Sequence, residues 1–210
     1  KGYMNKMVTD LANPNVPMVM KRVTSDENKK NAEAFQETTR LMPQNSTKTA
    51  ISDTLINKVE KLNHVKQVEK AFDIAPSDFT VSLGITKEPF SEIQTWTNVN
   101  TDSSLLAGEK PSEGEVAVPD TFAKKWDKTN WKKIIGETLH LEYKMLNKDG
   151  APVAISQDVK VSGITKGSPA QNPLTMNFKT LQKSFVANHI VSEPNFIVPT
   201  IDDSHNVKSV

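Results

Sequence analysis

Apolar positions recur at helical spacing in two stretches near the front of the chain and alternate with polar ones through most of the remainder. Tyr3, Met4, Met7 and Leu11 line one side of a short helix ended by Asn13-Pro14, because a residue before proline avoids the helical region. Residues 16–23 read as a strand, and the polar stretch 24–48 as a long exposed loop with a short helix around 32–39. The clearest helix covers 51–62. Leu55, Ile56, Val59 and Leu62 form its apolar face, opposite Lys58, Glu60 and Lys61. Ser52 suits the N-cap, with Ile51 and Ile56 as a hydrophobic staple. This helix is expected to pack on strands at 65–72 and 78–86, the second alternating Phe79, Val81 and Leu83 with Thr80, Ser82 and Gly84.

The second half is richer in strands. Residues 93–99, carrying Trp96, and Val116-Ala117-Val118 are two of them. Pro119 then leads into a short helix with Asp120 as N-cap and Phe122 and Trp126 four apart. A long strand at 138–146 turns Leu139, Leu141 and Tyr143 one way. The turn Asn147-Lys148-Asp149-Gly150 joins it to a partner at 157–165, where Val159, Val161 and Gly163 alternate. Residues 167–195 hold Pro169, Pro173 and Pro194 and read as loop with a short helix at 181–187, before a final strand at 196–198.

Composition narrows the class. The 210 residues suffice for one large domain or two small ones. Cysteine is absent, which removes thiol catalysis, disulfides and thiolate metal sites. No apolar run approaches the roughly 18 residues that cross a bilayer. The formal charge of +1 argues against a nucleic-acid partner, which calls for a clustered basic surplus. The cations are 24 Lys and two Arg, Arg22 and Arg40, and lysine suits a solvated surface more than bidentate anion recognition. The sequence lacks an initiator Met and a leader-like start, so it reads as a segment of a longer protein.

Candidate chemistry is sparse. His64, His140, His189 and His205 lack metal-ligand spacing, and no G-x-S-x-G, Walker A or G-x-G-x-x-G occurs. Asp202, Asp203 and His205 form either an acid-base or hard-metal cluster or a solvated tail. Trp96, Trp126 and Trp131 suit either an aromatic ligand surface or core packing. Lys124, Lys125, Lys128, Lys132 and Lys133 make a basic run, either a solvated face or a surface for anionic lipid or wall polymer. No catalytic residue, metal site or cofactor is assigned. In 167–195, Leu174, Met176, Phe178, Leu181, Phe185, Val186 and Ile190 are more apolar than a free loop should expose. Met176, Phe178, Phe185 and Ile190 are therefore candidate substrate or partner contacts, unless the segment folds back as a lid.

The order of motifs adds a resemblance. The string G-E-V-A-V-P-D-T-F-A-K-K-W at 114–126 is followed by I-I-G-E-T-L-H-L-E-Y at 134–143 and V-K-V-S-G-I-T-K-G at 159–167. L-N-H-V-K-Q-V precedes them at 62–68, and F-I-V-P-T-I follows at 196–201. Together they resemble the MacB-like extracytoplasmic core domain of an FtsX-type ABC transporter permease. The resemblance implies an α+β fold of two mixed α/β lobes, one inserted in the other. A membrane-proximal lobe would comprise 1–86 plus 168–210, and 87–167 would be an inserted, mostly β lobe. It implies a non-enzymatic domain outside the membrane of a Gram-positive bacterium, with its chain ends close together. Its partners would be the protein's own transmembrane helices, a cytosolic ATPase subunit and an accessory membrane protein. The substrate would be peptide-, lipid- or antibiotic-like. The inserts 24–48 and 167–195 exceed the family minimum, so specificity does not carry over. The alternative class is a secreted or wall-attached binding module.

Overall fold

A computed structural model describes residues 50–98 and 104–202. The expected N-terminal helix, the strand at 16–23 and the loop at 24–48 lie outside the described residues, as do Asp203 and His205. The fold is mixed α/β, and its described residues fall into two compact units, one holding 50–71 and 193–202, the other 72–98 and 104–192.

In the smaller unit, helix α1 (Asp53–Glu60) begins where the sequence places it. The Ser52 hydroxyl accepts the Leu55 N–H at 3.2 Å, and Ile51 and Ile56 are both buried, completing the staple. The helix lies on a two-stranded antiparallel sheet of β1 (Val65–Ala71) and β11 (Phe196–Ile201). Val59 and Ile56 are buried there with Phe196, Ile197 and Val198. The expected partner strand at 78–86 belongs instead to the other unit, because β11 returns from far along the chain to pair with β1.

The larger unit is built on a nine-stranded sheet. Its strands are β2 (Asp73–Ile74), β3 (Ser77–Leu83), β4 (Thr86–Pro89), β5 (Ile93–Thr95), β6 (Leu105–Gly108), β7 (Glu115–Pro119), β8 (Thr138–Leu146), β9 (Pro152–Thr165) and β10 (Leu174–Met176). They lie in the order β2-β5-β10-β7-β9-β8-β3-β4, with β6 also paired to β9. The lobe boundaries expected at 86/87 and 167/168 both cut this sheet. β3 pairs with β8 across the first, and β10 pairs with β7 and β5 across the second.

The β8–β9 hairpin follows its sequence pattern. Asn147 Oδ1 accepts the N–H groups of Asp149 and Ala151, and Gly150 takes the positive φ the turn demands. Leu139, Leu141, Tyr143 and Met145 face the core with Ile155, Val159 and Val161. Helix α2 (Asp120–Trp126) follows β7 directly, with Pro119 rather than Asp120 in the N-cap position. A 3-10 turn (Trp131–Ile134) comes next. Helix α3 (Phe178–Ala187) buries Leu181 and Phe185. Its Ser184 hydroxyl and the Tyr143 hydroxyl both donate to Gln157 Oε1, at 3.3 and 3.0 Å, tying the helix to the hairpin's inner face. Burial pushes the Tyr143 phenol far above its ordinary pKa, so it serves as a neutral donor.

Candidate functional site

Of the residues expected to be contacts, Met176, Phe185 and Ile190 are core residues and Phe178 packs half-buried against the core. Met176 is buried in β10, where its carbonyl accepts the Trp96 N–H at 2.8 Å. Phe178 opens α3 behind the Asn177 cap and stacks on Phe72 at 4.9 Å between ring centres. Phe185 meets the same Phe72 ring edge-on at 5.0 Å. Ile190 is explained by the helix end. His189 takes a left-handed φ of 55°, its N–H donates to Val186, and the Ile190 N–H donates to Phe185, a Schellman stop with its usual buried apolar residue. The segment folds back into the sheet, which removes Met176, Phe185 and Ile190 as surface contacts and leaves Phe178 half-buried against the core.

The tryptophans are half-buried, and Trp126 and Trp131 pack against the core. Of the tail cluster, Asp202 donates its backbone N–H to the His64 carbonyl at 2.7 Å. Among the described residues no group of three or more His, Asp or Glu side chains is placed to hold a metal ion.

Two polar constellations emerge that sequence spacing did not reveal. The first lies on the outer face of the β8–β9 hairpin, where pairing sets His140 opposite Asp158 and Glu142 opposite Ser156. His140 Nδ1 is 2.8 Å from Asp158 Oδ1, and Nε2 is 3.2 Å from Ser156 Oγ and 3.5 Å from Glu142 Oε1. The connectivity is that of a Ser-His-Asp array, but the electrostatics differ. Hydrogen bonding to Asp158 raises the imidazole's pKa against an opposing desolvation, and Glu142 adds to the rise. When it carries a second proton the ring donates from both nitrogens and cannot act as a base for Ser156. The group works as an ionic clip between two strands on an open face.

The second constellation is a cleft of about 390 Å³ in the larger unit. Phe90 and Phe122 line it, edge to face at 5.6 Å, with Pro89 and Pro169 beside them. Glu88 and Lys125, ion-paired at 3.3 Å, also line it, as do Thr121, Ser168 and Asn172. One wall is the loop after β9, and buried Asp120 fixes it. Asp120 Oδ1 accepts the Gly167 N–H at 2.8 Å, and Oδ2 accepts the Lys124 ammonium at 3.0 Å. Burial alone would raise the carboxyl, but these two bonds, with Lys166 nearby, bring its pKa below the ordinary value.

Further along the loop, Thr121 Oγ1 donates to Asn172 Oδ1 at 3.0 Å, and Gln171 reaches Glu92 at 3.3 Å. A Cβ at Gly167 would displace the Asn172 side chain from its place beside Thr121. The cleft therefore has fixed walls, an apolar interior and a few polar groups, the chemistry of a site for an apolar side chain on a polar backbone. Comparison with known proteins finds no protein-family model that matches the chain and no curated protein that matches it.

Proposed function

We propose that this chain is the extracytoplasmic domain of an FtsX-type ABC transporter permease, coupling ATP-driven motion of membrane helices to export or release of a peptide-, lipid- or antibiotic-like substrate. The observation that carries the reading is the way the chain enters and leaves the larger unit. Residues 72–192 sit between two segments that pair with each other, β1 and β11, and the Asn195 N–H donates to the Ala71 carbonyl at 3.2 Å. Adjoining entrance and exit strands suit a domain suspended from two membrane helices. The nested two-lobe arrangement of the family belongs to this proposal. Further support comes from the quoted motifs, which run in family order onto the α1–β1 junction, β7–α2, β8, β9 and β11. Among the described residues no helix is long and apolar enough to cross a membrane, so the spans would lie in other parts of the protein.

In this reading the cleft replaces 174–190 as the contact site, taking an apolar side chain of a peptide-like substrate or of an accessory membrane protein. The test is purification of the full-length parent protein from its host membranes. Co-purification with a nucleotide-hydrolysing subunit, and loss of transport in Phe90→Ala with assembly intact, are the expected results. Recovery as a soluble or wall-bound protein without an ATPase would favour the binding-module reading.

A further inference from the structure

Residues 120–134 carry five lysines against two aspartates in a chain whose formal charge is only +1. Both aspartates are engaged locally. Asp120 holds Gly167 and Lys124, and Asp127 Oδ1 accepts the N–H groups of Thr129 and Asn130 at 3.1 and 2.8 Å. Lys125 pairs with Glu88. Lys128, Lys132 and Lys133 are exposed, and among the described residues no carboxylate lies within ion-pair distance of them.

The 3-10 turn sorts its side chains by its period of three. Trp131 and Ile134 turn inward, Ile134 fully buried and Trp131 half-buried, with the Lys124 and Lys132 ammonium groups 5.0 and 5.5 Å from its ring centre. Ile135, one turn after Lys132, faces out and is 36% exposed. Its Cδ1 rests over Gly108, which has a φ of +77° and where a Cβ would strike the Ser162 carbonyl and Ile135 itself. Leu106, at the irregularity in β6 two residues before Gly108, is 41% exposed. Ile135 thus stands in the open on one short segment with Lys128, Lys132 and Lys133, and Leu106 is exposed on the neighbouring strand. The three lysines have no ion-pair partner among the described residues.

We infer that this surface docks on an anionic lipid bilayer, the lysines meeting headgroup phosphates and Ile135 and Leu106 entering the interfacial layer. Lysine, a strongly hydrated point charge, suits a diffuse array of phosphates. A soluble polyanion would need the lysines alone. The outward Ile135 and Leu106 supply a second, apolar component that a bilayer interface matches. The inference goes beyond the permease reading, and its test needs no transport partner.

The experiment is flotation of the 210-residue chain with vesicles of phosphatidylcholine, alone or with one-third phosphatidylglycerol. Binding is expected only to the anionic vesicles. Each lysine near such a surface contributes about fivefold, so Lys128→Gln, Lys132→Gln and Lys133→Gln together should weaken partitioning about a hundredfold. The triple Lys144→Gln, Lys148→Gln, Lys179→Gln, on β8, the β8–β9 turn and α3, should leave it nearly unchanged. Leu106→Ser with Ile135→Ser should remove the binding that survives in high salt, where exposed charges are screened. Ile135→Ser alone serves where a thermal melt shows the double variant unfolded. No binding to anionic vesicles, or equal loss in both lysine triples, would overturn the inference. So would serine variants that bind normally while long-chain polyphosphate competes the vesicles away, which would reassign the surface to a soluble polyanion.

Discussion

Replacing Asp120 separates the acceptor role of its carboxylate from its charge. In Asp120→Ala the Gly167 N–H loses its acceptor in a partly buried place, and an orphaned donor of that kind costs about 1–3 kcal/mol. The Lys124 pair adds little, since that ammonium is half-exposed and such pairs contribute under about 1 kcal/mol. Asp120→Asn keeps an oxygen for Gly167 and gives up only the charge, so its cost should stay near about 1 kcal/mol. At roughly 2–4 °C per kcal/mol, the alanine variant should melt about 2–12 °C below wild type, and further below it than the asparagine variant. Thermal melts at pH 7 followed by circular dichroism read the difference directly.

The pH dependence has a definite sign. Asp120 has a lowered pKa in the folded protein, so its stabilisation is complete above the unfolded value near 3.9 and disappears as the pH falls through the folded value. The gap between wild type and Asp120→Asn should therefore close in acid. Equal destabilisation by Ala and Asn at pH 7 would refute the assignment of Asp120 as the acceptor that fixes the cleft wall.

Three other outcomes follow from the same geometry. The His140 imidazole should titrate above the usual histidine range in a two-dimensional NMR titration, and Asp158→Asn should bring it down; because its folded pKa is raised, the clip supports stability at low pH and is lost as pH rises through that value. Phe185→Ala should cost about 3–5 kcal/mol in urea unfolding, as loss of a fully buried ring does, whereas a surface contact would leave stability unchanged. Val59→Asp should cost several kcal/mol by burying an unpaired carboxylate between α1 and its sheet, and wild-type stability in that variant would contradict the packing.

Local chemistry was legible where it acts over a few residues. The Ser52 cap, the alternation of Leu139, Leu141 and Tyr143 and the Asn147–Gly150 turn each work through neighbours in sequence, and each stands where the pattern placed it. What escaped depends on distant partners. β10 is three residues long and lies between β5 and β7, so nothing in its own residues distinguishes it from loop. Phe178 and Phe185 looked exposed because prolines flank their segment, yet Phe72, more than a hundred residues earlier, receives both rings. Asp120 read as a cap because it follows Pro119, but its carboxylate is aimed at Gly167 on a loop beyond two strands. The His140 clip needed the β8–β9 register, which pairs residues eighteen apart. Its signal was available in the alternating polar positions His140 and Glu142, once matched against Ser156 and Asp158.

The permease proposal requires the chain to belong to an integral membrane protein and to face outward. The chain has no cysteine, so one introduced at exposed Lys148 gives a single reporter in a full-length parent whose other cysteines are replaced. Intact cells are treated with a membrane-impermeant maleimide, and their membranes are then washed with alkaline carbonate. Labelling of Lys148→Cys before lysis and retention of the labelled protein in the washed membranes are expected from the proposal. Labelling only after lysis, or release of the labelled protein into the medium or the carbonate wash, would contradict it.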